Sequence, residues 1–258
     1  MRPLRCKVFV KRLPLSERWR LEAEADGLER LASAGAIRVP RVLGQGASDR
    51  DAWLELEWFD LHPPDAAADE RLGAALARLH AVTAPAFGLD RDNAIGASPQ
   101  ANAAASDWTA FWRDSRLGFQ LEFAERNGYC GRLQDRGRRL LEALPALFAG
   151  HSPRPSLLHG DLWGGNHAML ADGTPVVFDP GVYYGDREAD IAMTRLFGGF
   201  GPRFYASYEH AWPMDAGADI RCDLYNLYHV LNHLNLFGGG YRARAEAMID
   251  SLLAAAGR

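Results

Sequence analysis

Residues 157–180 read LLHGDLWGGNHAMLADGTPVVFDP. Asp161 is followed five residues later by Asn166, and Asp179 lies thirteen residues beyond that. Ser156–His159, His167–Leu170 and Val176–Asp179 read as short strands, and Asp172-Gly173 predicts a hairpin turn between the last two. Asp161 therefore belongs to a glycine-containing loop after one strand, and Asp179 to the end of another. Phosphoryl transfer needs such a set. One carboxylate orients an acceptor hydroxyl and takes its proton, while a second carboxylate and an amide oxygen hold Mg2+ against nucleotide phosphates. The three residues alone fit equally well a loop whose Asp caps a turn and whose Asn adopts a left-handed conformation. The strand-end position of Asp179 and the rest of the chain favour the chemical reading.

Upstream, residues 6–11 alternate as a strand, and Ser16 is a candidate N-cap for a helix from 17 to Gly35. Arg41–Leu43 and Ala52–Phe59 read as two more strands around a turn at 48–51. After the break at residues 61–65 the periodicity predicts helices over 69–82, 107–127 and 132–149, with a long loop at 83–106. Downstream of the quoted stretch it predicts helices over 187–198, 203–211, 218–236 and 243–256. The expected architecture is α+β. Residues 1–59 form a small mixed lobe and residues 60–258 a larger, mostly helical one.

The 258 residues, 48% hydrophobic and 24% charged, have the make-up of a globular chain with a real core. Net charge is −4, from 29 basic and 33 acidic residues, so no basic excess points to nucleic acid or an anionic membrane as partner. Cys6, Cys130 and Cys222 are scattered and odd in number, which argues against a disulfide framework or a zinc knuckle and for a reducing cytoplasm. No apolar run approaches the roughly 18 residues of a membrane span, and none near the start has signal-peptide character.

The quoted stretch, continued by GVYYGDREADIAM at 181–193, resembles the fructosamine kinases, also called ketosamine kinases. DNAIGASPQAN at 92–102, DWTAFWRDSRLGFQL at 107–121 and LYHVLNHLNLFGGGY at 227–241 carry the likeness over nearly the whole chain. That family belongs with the aminoglycoside phosphotransferases and choline kinases in the two-lobed protein-kinase-like fold. The resemblance implies an ATP- and Mg2+-dependent kinase. It would phosphorylate a sugar hydroxyl, the 3-hydroxyl, of a small-molecule or protein-bound ketosamine, promoting deglycation. A monomer or weak homodimer is expected. The same residues leave open a related aminoglycoside or amino-sugar phosphotransferase, and a noncatalytic pseudokinase.

By that resemblance Asp161 is the catalytic acid–base, and Asn166 and Asp179 are the Mg2+ ligands. Lys11, on the strand VFVK, matches the phosphate-contacting lysine, and Glu24 matches its ion-pair partner. From the residues alone Lys11 reads as a solvated strand-end charge, and Glu22 is a rival to Glu24 on a different helix face. Glu57, Trp58 and Phe59 would form the adenine-holding hinge, through backbone groups. Asp190 would support the catalytic loop, and Asp186 or Arg187 would lie near the substrate. Trp163 is a candidate sugar platform or a packed core residue, and His233 a candidate lining of the acceptor pocket. His229 and His233 also have the i, i+4 spacing of a metal pair, but no third ligand is near in sequence. No Gly precedes Gly27, so the family's Gly-rich phosphate-covering loop is not expected ahead of Lys11.

Overall fold

A computed structural model describes residues 7–257. Cys6 and the start of the strand expected at residue 6 lie outside the described residues. Strand β1 (Val8–Pro14) pairs antiparallel with β3 (Asp51–Glu57), which pairs antiparallel with β2 (Val42–Ala47). The alternation of β3 puts Ala52, Leu54 and Leu56 on one buried face. Helix α1 (Arg18–Ala34) packs there with Leu21, Ala25, Leu28 and Leu31, a spacing that places four apolar side chains on one stripe. Its start differs from expectation. Ser16 lies inside a single 3-10 turn over Leu15–Glu17, and Glu17 occupies the cap position without a side-chain bond. Its end is as read: Gly35 takes φ 64 and closes the last turn onto the carbonyl of Ala32.

Helix α2 (Ala66–His80) starts earlier than its periodicity suggests, because the Asp65 carboxylate accepts from the N–H groups of Ala67 and Ala68. The long loop expected at 83–106 contains a small hairpin, β4 (Asn93–Ile95) and β5 (Ser98–Gln100). The helix expected at 107–127 is interrupted. It runs as α3 (Trp108–Phe111), a π-helical stretch (Trp112–Gly118) and α4 (Phe119–Arg126). Inside the wide turn the buried Arg116 reaches back to the carbonyl of Ala101 and to Asn102 Oδ1 (2.8 Å), which ties this helix to the β5 hairpin.

After α5 (Arg132–Leu147), β6 (Ser156–Leu158) pairs with β9 (Tyr183–Gly185), and β7 (His167–Met169) forms the expected hairpin with β8 (Pro175–Val177). Helices α6 (Glu188–Leu196), α7 (Pro202–Ala211), α8 (Ala218–Phe237) and α9 (Tyr241–Ala255) complete the chain. Two apolar clusters hold it together. One joins α3–α5, α8 and α9. The other joins the three-stranded sheet and α1 to α2, α7 and the strands around Asp161, through Leu157, Leu162 and Val177. No helix among the described residues is long and apolar enough to cross a membrane.

Helices α2 and α7 cross at Gly73, where an added Cβ would lie 2.3 Å from the backbone carbonyl oxygen of Phe204. Gly73→Ala therefore forces the two helices apart. Overpacking of this kind costs about 1–3 kcal/mol, and a thermal melt is expected to fall by several degrees.

Candidate active site

The loop carrying Asp161 is shaped from beneath. Asp190, buried on the first turn of α6, accepts the backbone N–H of His159 (2.7 Å) and of Gly160 (2.8 Å). It also contacts His80 Nε2 at 3.1 Å. Burial alone would raise the carboxyl of Asp190, but His80 and these backbone donors bring it below the usual carboxylate range. Gly160 takes φ 81, and an added Cβ would lie 2.0 Å from the Gly181 carbonyl oxygen. The loop of Asp161 and the turn after Asp179 thus touch backbone to backbone, and Gly181 N–H donates to His159 C=O (2.9 Å). His159 is itself buried, with Nε2 3.1 Å from the carbonyl of Phe178, and burial pulls its pKa down. It acts as a hydrogen-bonding strut.

Three groups converge above this base. Asn166 Nδ2 donates to the backbone carbonyls of Asp161 (2.9 Å) and Asp179 (3.3 Å), and lies 3.4 Å from Asp161 Oδ2. No hydrogen bond among the described residues engages its amide oxygen. Asp179 is the one non-glycine residue among those described with a positive φ, 57°, and this turn ends the strand at Val177, two residues before its expected end. Its carboxylate, 47% exposed, lies 2.5 Å from Lys11 Nζ, which also contacts Glu24 Oε1 at 2.7 Å. Of the two rival acids on α1, Glu24 meets Lys11, while Glu22 pairs with Arg18. Burial would lower Lys11, but the two carboxylates outweigh it and its pKa rises. Burial raises Glu24 despite the lysine.

These side chains line a cleft of about 530 Å³ between β1, α1 and the two loops, together with Trp163, Ala94 and Gly96. Asp161 is half-buried there. Burial first, and then the charges of Asp179 and Asp190, push its carboxyl up to about 7. An acid so poised suits proton acceptance near neutral pH. A hard oxygen set, the Asp179 carboxylate and the free amide oxygen of Asn166, fits Mg2+ rather than a thiophilic metal.

Other expected residues fall elsewhere. Glu57 is held by Arg38 (2.6 Å) and Arg41 (3.1 Å), and its backbone N–H is already given to the carbonyl of Arg41. Trp58 is capped by Lys7 at 4.2 Å from its ring, and Phe59 by Arg38 at 4.9 Å. None of the three lines the cleft around Lys11. The chain leaves the strand at Glu57 and next makes an isolated bridge at His62 with Met169 of β7. Asp186 and Arg187 are not near the cleft, contrary to expectation. Asp186 is consumed by His151 Nε2 (2.6 Å), the Tyr225 hydroxyl (2.5 Å) and the Glu188 N–H (3.0 Å). Arg187 donates to the carbonyls of Trp212 and Pro213 and stacks on the Trp212 ring. Both face a separate cavity of about 280 Å³. His233 directs Nδ1 to the His229 carbonyl (2.8 Å), and among the described residues neither ring belongs to a cluster of three ligating side chains. Sequence reasoning missed Ala94 and Gly96 because it read their hairpin as loop. Their signal was the single Gly between two short segments.

A family model described as "Fructosamine kinase" matches residues 4–255. The chain belongs to the fructosamine kinase family. It is 44% identical over 249 residues to a probable ketoamine kinase of Synechocystis, covering 96% of this chain and 83% of that one. It superposes on the crystal structure of a putative fructosamine-3-kinase of Haemophilus somnus with a TM-score of 0.87. That match has 31% identity and covers 95% of this chain and 83% of that one. An ADP-bound aminoglycoside phosphotransferase, 17% identical with a TM-score of 0.57 over 92% of this chain and 81% of that one, shares the fold. The fold class is thus the α+β, protein-kinase-like one that the sequence predicts.

The raised carboxyl of Asp161 bears on stability. Its folded value of about 7 lies above its ordinary 3.8, so folding takes up a proton between those pH values. Its contribution to stability therefore falls as pH rises from about 4 to about 7, and stays low above. Asp161→Asn removes that penalty. Its melting temperature is expected to exceed wild type at pH 8, by on the order of 2–4 °C per kcal/mol relieved, with the gap closing toward pH 4.

Proposed function

We propose that this chain is an ATP-dependent kinase that phosphorylates the 3-hydroxyl of ketosamines, free or carried on protein lysine. The observation that carries the proposal is the convergence of Asp161, Asn166, Asp179 and the Lys11–Glu24 pair on one cleft. Membership of a kinase family and the names of its relatives support the acceptor class. Residues 1–59 are read as the nucleotide side and residues 60–258 as the side carrying the catalytic loop and acceptor site.

In this reading Asp161 orients the acceptor hydroxyl and takes its proton as the oxygen attacks the γ-phosphorus. The bond from that phosphorus to the β–γ bridging oxygen breaks, and its electron pair leaves with ADP. Lys11, steadied by Glu24, holds phosphate oxygens of the nucleotide. Asn166 Oδ1 and the Asp179 carboxylate are the groups that would hold Mg2+, which neutralises phosphate charge when bound. Glu57, Trp58 and Phe59 lie on the strand exit that would meet adenine through backbone groups. Trp163, which also lines the cleft, is the sugar platform. The phosphorylated product is unstable and releases the amine. The free thiols Cys130 and Cys222 support a reducing, cytoplasmic setting.

Incubation of fructosyl-lysine with the chain and Mg-ATP, followed by mass spectrometry, tests the reading. A gain of one phosphate is expected. Asp161→Asn is expected to lower turnover by at least 10²–10⁴-fold, the usual worth of a positioned base, while circular dichroism stays unchanged. Wild-type turnover in that variant would remove Asp161 from the role.

A further inference from the structure

A chain of buried amides runs from the π-helical turn to the loop of Asp179. Arg116 is fully buried and forms no ion pair among the described residues. Its guanidinium lies over the Tyr183 ring at 4.0 Å and donates to the carbonyls of Ala101 and Ser115 and to Asn102 Oδ1 (2.8 Å). Asn102 Nδ2 donates to Asn93 Oδ1 (2.8 Å), and Asn93 Nδ2 donates to the carbonyl of Val182 (2.6 Å). Gln100 lies opposite Asn93 in the β4–β5 hairpin. Its Nε2 donates to Asn93 Oδ1 (2.9 Å) and to the carbonyl of Gly181 (3.0 Å), while its Oε1 accepts from the Tyr228 hydroxyl (2.8 Å).

The amides of Asn102 and Asn93 are aligned head to tail, with a cation at the far end. Each bond polarises the next, so the last donor grips its carbonyl more firmly than an isolated amide would. A buried guanidinium without a carboxylate is an unfavourable way to brace a hairpin, where apolar side chains of similar volume would serve. Its retention calls for a role beyond packing.

That role lies at the two carbonyls. Gly181 and Val182 follow Asp179-Pro180, and the Gly181 N–H is already given to the His159 carbonyl. The turn is therefore pinned on both sides. The hairpin lies directly against it: a Cβ on Gly181 would be 3.2 Å from the Ala94 carbonyl oxygen and 3.5 Å from Gln100 Nε2. Asp179 itself has φ 57, a conformation that a side-chain-bearing residue keeps only where its surroundings enforce it. Its carboxylate contacts Lys11 across an exposed cleft and is a weak enforcer.

We propose that Arg116, Asn102, Asn93 and Gln100 are positioning residues that hold the Asp179 turn in this conformation, and so set how well its carboxylate receives Mg2+. The inference rests on the reading of Asp179 as a Mg2+ ligand. Titration calorimetry of ADP binding, with Mg2+ and separately with EDTA, tests it. The wild-type chain is expected to bind Mg-ADP the more tightly. Asn93→Leu has a similar size and no donor. It is expected to shrink that advantage by about tenfold, the worth of one buried hydrogen bond, with ADP affinity in EDTA unchanged. Tyr228→Phe deletes one hydroxyl from the network and keeps the ring packing, so it remains folded if Asn93→Leu does not. It is expected to shrink the advantage by about threefold. A purely structural role would lower the melting temperature and the fraction of binding-competent protein, but leave the ratio of the two affinities at its wild-type value. That wild-type ratio, in either variant with a native circular dichroism spectrum, overturns the inference and leaves the metal reading standing. A wild-type chain that binds ADP equally with and without Mg2+ overturns both.

Discussion

The active-site geometry depends on one buried carboxylate. Asp190 gathers two consecutive backbone N–H groups, from His159 and Gly160, and a ring nitrogen of His80. The loop that exposes Asp161 buries one apolar side chain, Leu162, and the rest of its shape is fixed by holding its backbone from below. Breaking such a buried, multiply bonded charge leaves its donors stranded in low dielectric. The anchor extends deeper, since His80 Nδ1 contacts the Tyr208 hydroxyl, which Arg187 also contacts. Arg187 thus reaches the catalytic loop only through other residues, which accounts for its lying outside the cleft although it is close to Asp190 in sequence.

A second constraint is electrostatic. Glu24, Asp161 and Asp179 bring three carboxylates to a cleft that Lys11, Arg12 and Arg20 also line, and Lys11 is the cation that pairs with two of them. Burial first, and then the neighbouring carboxylates, raise Glu24 and Asp161. Holding these acids out of water makes the protein less stable than its packing alone would allow, as functional sites commonly do.

Much of this was legible in the sequence, for identifiable reasons. Strands β1 and β3, α1 and the β7–β8 hairpin carry strong periodicity and unambiguous turn residues. Asp161, Asn166 and Asp179 are spaced by local structure, so their convergence follows from a loop and a hairpin. Strand β6 was read, but β4, β5 and β9 were not, because three-residue strands without a paired turn signal such as Asp172-Gly173 show too little alternation to register. The π-helical turn at Arg116 was invisible because tertiary bonds to Ala101 and Asn102 shape it. Asp186 was misplaced for a related reason. The family resemblance put it or Arg187 near the substrate, but His151 and Tyr225, distant in sequence, hold it elsewhere. The family resemblance favoured Glu24 over Glu22, but from the residues alone the two could be separated only by seeing which helix face meets β1.

Gly27 carries a further meaning. Without a side chain, α1 sits so close to the turn after Asp179 that a Cβ there would be 3.1 Å from Pro180 and 3.2 Å from Val182. The same apolar cluster runs from the sheet through α1 into the helices beneath the catalytic loop. Any side chain at this position would have to push Pro180 and Val182 aside, and with them the turn that carries Asp179. The smallest residue therefore sets the spacing at which Glu24 on α1 and Asp179 on the facing turn share one lysine.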